Sequence, residues 1–141
     1  MARVKLELPE KFLFSTEIPV RIGDINYGGH MGNDTVLALV HEARVQMLKQ
    51  HGWGELNIEG RSTIMADAVV VYKAEAFQGD VIVVEVAVAD LTTSGCDFLF
   101  RLTNKETGNE VARVKTGIVF YDYQRRKVIE MPEKFRSTFS R

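Results

Sequence analysis

The stretch "GDINYGGHMGND", residues 23–34, places Asp24, Asn26, His30, Asn33 and Asp34 among four glycines. These are residue types that move protons, orient water and polarise carbonyls. A carboxylate or an imidazole can take a proton from water, and an imidazole with an ordinary pKa near 6.5 is suited to that at neutral pH. Asn26 is neither a base nor a useful nucleophile, so its role would be to orient a water or a carbonyl. Asp24 and His30 are candidate bases, and Glu42, eight residues beyond Asp34, is a third. Tyr27, Gly28, Gly29, Met31, Gly32 and Asn33 make the candidate binding surface, because glycines let backbone come close to a ligand. Each residue also has a purely structural use. Asp24 could bond turn amides, His30 could pack in the loop, and Glu42 could pair with Arg44 or another partner. Asn33 or Asp34 could cap a helix.

That helix follows at once. From Thr35 to about Gln50, Val36, Leu39, Val40, Ala43 and Met47 recur at the spacing of one helix face. Leu37 and Leu48 widen the face, which predicts a helix buried on more than one side. Free amides at its start, around Met31 to Asp34, would carry the positive end of the helix dipole and could hold an oxyanion. Lys49 and His51 suit the other end, with Gly52 as the stop and Trp53 closing it.

The remaining elements are extended. "FSTEIPVRI" (14–22) predicts a first strand, with Pro19 confining it to an edge or a bulge. After Gly60 the period becomes two, predicting strands over 62–76, 80–91, 96–104 and 110–123. The breaks "FQGD", "TTSG" and "NKETGN" are short and glycine-bearing, as hairpins or tight turns would be. The fold class is therefore α+β: one antiparallel sheet of about five strands with the long helix across its concave face. "PEKFRSTFSR" (132–141) predicts a short terminal helix. The 141 residues suit a single domain.

Composition excludes several functions. Eighteen basic and nineteen acidic residues leave a net charge of -1, which argues against nucleic acid and anionic membrane surfaces. One cysteine, Cys96, permits neither an internal disulfide nor a thiolate zinc cluster. No apolar run is long enough for a membrane span, and the charged opening "MARVKLELPEKF" lacks the core of a signal peptide, so a reducing cytoplasm is the expected compartment. Arg125, Arg126 and Lys127 could meet phosphates or form a solvated hairpin tip.

Two motifs together carry a family resemblance. "RIGDINYGGHMGND" followed by "HEAR" (41–44) resembles the loop and helix of the hotdog-fold acyl-CoA thioesterases, in the 4-hydroxybenzoyl-CoA thioesterase-like branch. "VVVYKAEAFQGDVIVVEV" is similar to that family's strand, Gly-Asp turn and next strand, and the likeness spans roughly residues 14–122. It implies a hotdog fold whose sheet wraps the helix. It also implies hydrolysis of a fatty or aromatic acyl-CoA without metal or cofactor, coenzyme A being part of the substrate. A homodimer or homotetramer with sites at the subunit interface is implied as well. The chain departs from the family at one point: with the glycines and His30 aligned, Asn26 stands where the family has its catalytic aspartate and Asp24 matches the preceding one. Acyl-carrier-protein thioesterases use aspartate, any residue, asparagine and a nearby histidine; Asp24 and Asn26 fit that order, while His30 lies two residues further along. The alternative function is thus a hotdog module that binds acyl-CoA or acyl-carrier protein without turnover. A hotdog dehydratase is disfavoured, since no Phe-Pro-Gly segment follows His30.

Overall fold

The computed structural model describes residues 3–140. The chain runs β1 (Phe14–Pro19), a 3-10 turn (Ile22–Asp24), α1 (Asn33–Gln50), β2 (Ser62–Tyr72), β3 (Val81–Ala89), β4 (Gly95–Asn104), β5 (Glu110–Asp122), β6 (Lys127–Val128) and α2 (Glu133–Phe139). All strands share one antiparallel sheet in the order β1-β3-β4-β5-β2, with β6 pairing β5 beyond the five-strand path. Pro19 lies on edge strand β1, where a missing N–H can be tolerated. The predicted terminal helix is present as Glu133–Phe139, and Arg141 lies outside the described residues. No described helix is long and apolar enough to cross a membrane.

The core lies between α1 and one face of the sheet. In β4, Cys96, Phe98, Phe100 and Leu102 point inward and are buried, alternating with the less buried Asp97, Leu99, Arg101 and Thr103. Burial pushes the Cys96 thiol up to about 12, helped by the Asp97 carboxylate, so it is inert as a nucleophile near neutrality. The helix buries Val36, Leu39, Val40, Ala43, Arg44, Met47 and Leu48, while Ala38, His41, Glu42 and Val45 are exposed. One side of α1 is thus open in this chain, and the rest of its surface is buried on the sheet. The end of α1 is built as expected. Gly52 takes φ +77, its N–H reaches the Lys49 carbonyl, and the Trp53 N–H reaches that of Leu48. Trp53 then stacks on His51 and packs against Phe135 of α2.

Two expectations fail. First, "FQGD" is not a hairpin. β2 pairs β5 at one side of the sheet and β3 pairs β1 at the other, so residues 73–80 cross three inter-strand gaps. Eight extended residues reach about 26 Å, ample for gaps of about 4.8 Å each. Gly79 at φ +91 and the Asp80 carboxylate, which accepts the Phe77 N–H at 2.9 Å, turn the chain into β3. Strand alternation is blind to which neighbour a strand takes, so a crossover of this length reads like a turn. Second, neither Asn33 nor Asp34 caps α1. The N-cap is Gly32, with no side-chain cap bond. Both residues lie within the first turn, because the backbone entering the helix is already anchored from other elements.

Candidate active site at the start of the helix

Those anchors come from the crossover and the 3-10 turn. The Met31 N–H donates to the Ala76 carbonyl at 2.7 Å, and the Gly32 N–H donates to the Asp24 carbonyl at 3.0 Å. The Thr35 hydroxyl donates to that same Asp24 carbonyl at 3.2 Å. Two of the amides expected to be free are therefore spent. The Asn33 and Asp34 N–H groups make none of the hydrogen bonds seen among the described residues, and they carry the positive end of α1. Asn33 is held in place from the end of β2, where the Tyr72 hydroxyl donates to its carbonyl at 3.0 Å.

His30 lies on the cavity that this helix start opens onto. The cavity measures about 360 Å³ and is lined by His30, Asn33, Val36, Tyr72 and Lys73 together with the start of the crossover. His30 Nδ1 lies 3.1 Å from the Met31 carbonyl oxygen. A carbonyl can only accept, so Nδ1 carries the hydrogen and Nε2 keeps its lone pair. The Met31 carbonyl thus engages Nδ1 and leaves His30 Nε2 without a partner among the described residues.

The other candidates are placed elsewhere. Asp24 closes the 3-10 turn: its carboxylate accepts the Arg21 N–H at 2.8 Å, with the Arg21 guanidinium Nε at 3.5 Å. It lines a separate groove of about 350 Å³ that also holds Glu42, Arg21 and Gln46. Glu42 is exposed and accepts from Gln46 one turn on at 2.6 Å. Asn26 turns inward on its own loop, its side-chain oxygen accepting the Gly28 N–H at 2.9 Å. Tyr27 is fully exposed at the loop tip. Gly29, at φ +85, is the loop position whose backbone requires glycine. The structure therefore brings His30, Met31, Gly32 and Asn33 to one cavity and sets Asp24 and Glu42 in another.

Tyr72, Lys73 and Ala76 were not legible as site residues. They reach the helix start only because the crossover runs past it. Arg44 is the other surprise. Its partner is not Glu42, two residues away on a different side of the helix, but Glu55 beyond the helix end, at 2.7 Å. The Glu55 carboxylate also meets His41 Nε2 at 2.7 Å. Burial works to raise the Glu55 pKa, but the Arg44 guanidinium and His41 outweigh it and hold the carboxyl below the ordinary 4.5. The basic run at 125–127 sits at the tip of the β5–β6 hairpin, where the Asp122 carboxylate accepts the Gln124 and Arg125 N–H groups.

Comparison with known proteins agrees with this architecture. The sequence matches the thioesterase-like superfamily over residues 20–139. No curated protein matches the sequence. Among solved structures, a 1,4-dihydroxy-2-naphthoyl-CoA thioesterase from Synechocystis superposes with a TM-score of 0.82 at 20% identity, over 89% of this chain and 94% of its own. A Pseudomonas aeruginosa protein named as a candidate thioesterase gives 0.83 at 22% identity, over 92% and 100%. A Staphylococcus aureus protein solved in complex with CoA gives 0.79 at 17% identity, over 94% and 84%. With a six-stranded antiparallel sheet laid across one long helix, the protein has the hotdog fold and belongs to the thioesterase-like superfamily.

Proposed function

We propose that the protein hydrolyses an acyl-CoA thioester to the free acid and coenzyme A, with His30 as the general base. One observation carries this reading: among the described residues His30 Nε2 and the Asn33 and Asp34 amides have no partner, and the imidazole shares a cavity with the helix start. A thioester carbonyl placed on those amides would meet a water held by His30. His30 Nε2 takes a proton as the water oxygen attacks the carbonyl carbon. The amides stabilise the tetrahedral oxyanion. Collapse breaks the carbon–sulfur bond, and the imidazolium returns its proton to the leaving thiolate. No metal or further cofactor takes part in this scheme. Asp24 keeps the loop closed on the helix, and its groove with Glu42 is the alternative location for the base.

The same reading includes a homodimer. Among the described residues strand β2 pairs only with β5, leaving its other edge open, and it exposes Ile64, Met65 and Tyr72. A second subunit on that edge would cover the cavity beside Tyr72. Incubation with acyl-CoAs of graded chain length, scored by release of free thiol, tests the activity. Steady release supports hydrolysis. Tight binding without release would instead favour a binding module, the reading that Asn26 at the family's aspartate position suggests.

A further inference from the structure

A second cavity, about 460 Å³, lies further along α1, between the helix, β2 and β5. Leu37, Val40, Ile64, Met65 and Ile118 give it apolar walls, and Arg44 lies at its polar end. The Arg44 side chain is only 8% exposed. Its Nε donates to Glu55, and its Nη1 lies 3.5 Å from the Thr116 hydroxyl. Its Nη2 makes no hydrogen bond among the described residues. Among the described residues no buried side-chain nitrogen or oxygen lacks a partner, so Nη2 keeps some accessible surface, at the cavity that Arg44 lines. A buried guanidinium with an unspent donor edge is a recognition element, because leaving such donors unmatched is costly once water is displaced.

We infer that this cavity receives the distal part of the acyl group and that Arg44 Nη2 donates to a neutral oxygen acceptor there, a keto, ether or hydroxyl oxygen. The acceptor is neutral because Glu55 already balances the Arg44 charge at 2.7 Å. It is an acceptor because the free groups are donors. Both Glu55 oxygens are engaged, one by Arg44 and the other by His41. The position suits an acyl group anchored at the helix start. Asn33, Leu37, Val40 and Arg44 recur at helical spacing on one side of α1, and eleven residues span about 16 Å. The Arg44 side chain leans back toward the helix start and shortens that distance. The acyl identity of the ligand rests on the thioesterase reading; the acceptor site itself does not.

The test uses two small probes of the same shape, acetophenone and its hydrocarbon isostere α-methylstyrene, followed by methyl NMR of Leu37, Ile64 and Ile118 in the full chain. Acetophenone is expected to bind at least about tenfold tighter, and to shift these methyls. Replacing Arg44→Met together with Glu55→Met removes the pair without stranding a charge, and should bring the two probes within about twofold. Ile64→Trp fills the cavity from an exposed strand, leaves Arg44 untouched, and should abolish both binding events; it decides the matter alone if the double variant does not fold. Equal affinity of the probes in the wild type, or shifts confined to other residues, would overturn the site. Acyl-CoA turnover is scored separately. Probe selectivity without turnover would leave the acceptor site standing and remove the thioesterase reading, while turnover without selectivity would do the reverse.

Discussion

The start and the middle of one helix face solve opposite problems. At the start of α1, His30 Nε2 and the Asn33 and Asp34 amides have no partner among the described residues, and they are held in place by backbone bonds from the crossover and the 3-10 turn. Eleven residues after Asn33, just past the helix midpoint, Arg44 is nearly buried and its charge is matched by Glu55. The groups proposed to react must stay unsatisfied to act, and the segment that carries them is held by bonds to carbonyls of other elements. A buried charge cannot be left so, and the chain brings in a carboxylate from beyond the helix to meet it.

Removing Glu55 should therefore cost the most stability. Glu55→Ala strands the Arg44 guanidinium, and about 3 kcal/mol of unfolding free energy should be lost in denaturant titration, whereas His41→Ala, at an exposed position, should lose under 1. The same pair sets an acid limit. Because the folded Glu55 pKa lies below 4.5, its stabilisation is complete above that pH and is lost as pH falls through the folded value. The stability difference between wild type and Glu55→Gln should accordingly shrink below about pH 4.5, and a constant difference down to acid would refute the assignment. At the helix start the expected effects are on rate. Tyr72→Phe removes the bond to the Asn33 carbonyl, and kcat should fall about threefold to tenfold with little change in melting temperature. Asn26→Asp should change the rate least, under about threefold, because the side-chain oxygen is committed to the Gly28 N–H and an aspartate can accept the same bond. A large gain would show that Asn26 replaces a working carboxylate.

Much of this was legible in the residues, and the illegible part has a physical cause. Alternation revealed β4, whose inward set is buried as expected, and the Gly52 stop appears with its φ of +77. The loop motif located the helix start. The sequence could not report that β2 and β3 are not neighbours, since pairing depends on tertiary order. For that reason Tyr72 and Lys73 were not legible as site residues: the strand predicted to run to 76 ends at Tyr72, and Lys73 opens the crossover. The cap differs for a related cause: the Met31 and Gly32 amides bond carbonyls of Ala76 and Asp24 in other elements, so the helix starts at Asn33 and both cap candidates fall inside its first turn. Arg44 and Glu55 are eleven residues apart across a helix end, a distance at which spacing carries no signal.

The central claim is that the free imidazole beside the helix start drives hydrolysis. The measurement is the rate of thiol release from an acyl-CoA that the wild type turns over, compared among wild type, His30→Ala, Asp24→Asn and Glu42→Gln at equal folded fraction. General-base loss should lower kcat by at least about a hundredfold in His30→Ala. Glu42→Gln should stay near wild type, and Asp24→Asn should fall less than His30→Ala. An active His30→Ala together with an inactive Asp24→Asn or Glu42→Gln would contradict it and put the base in the neighbouring groove.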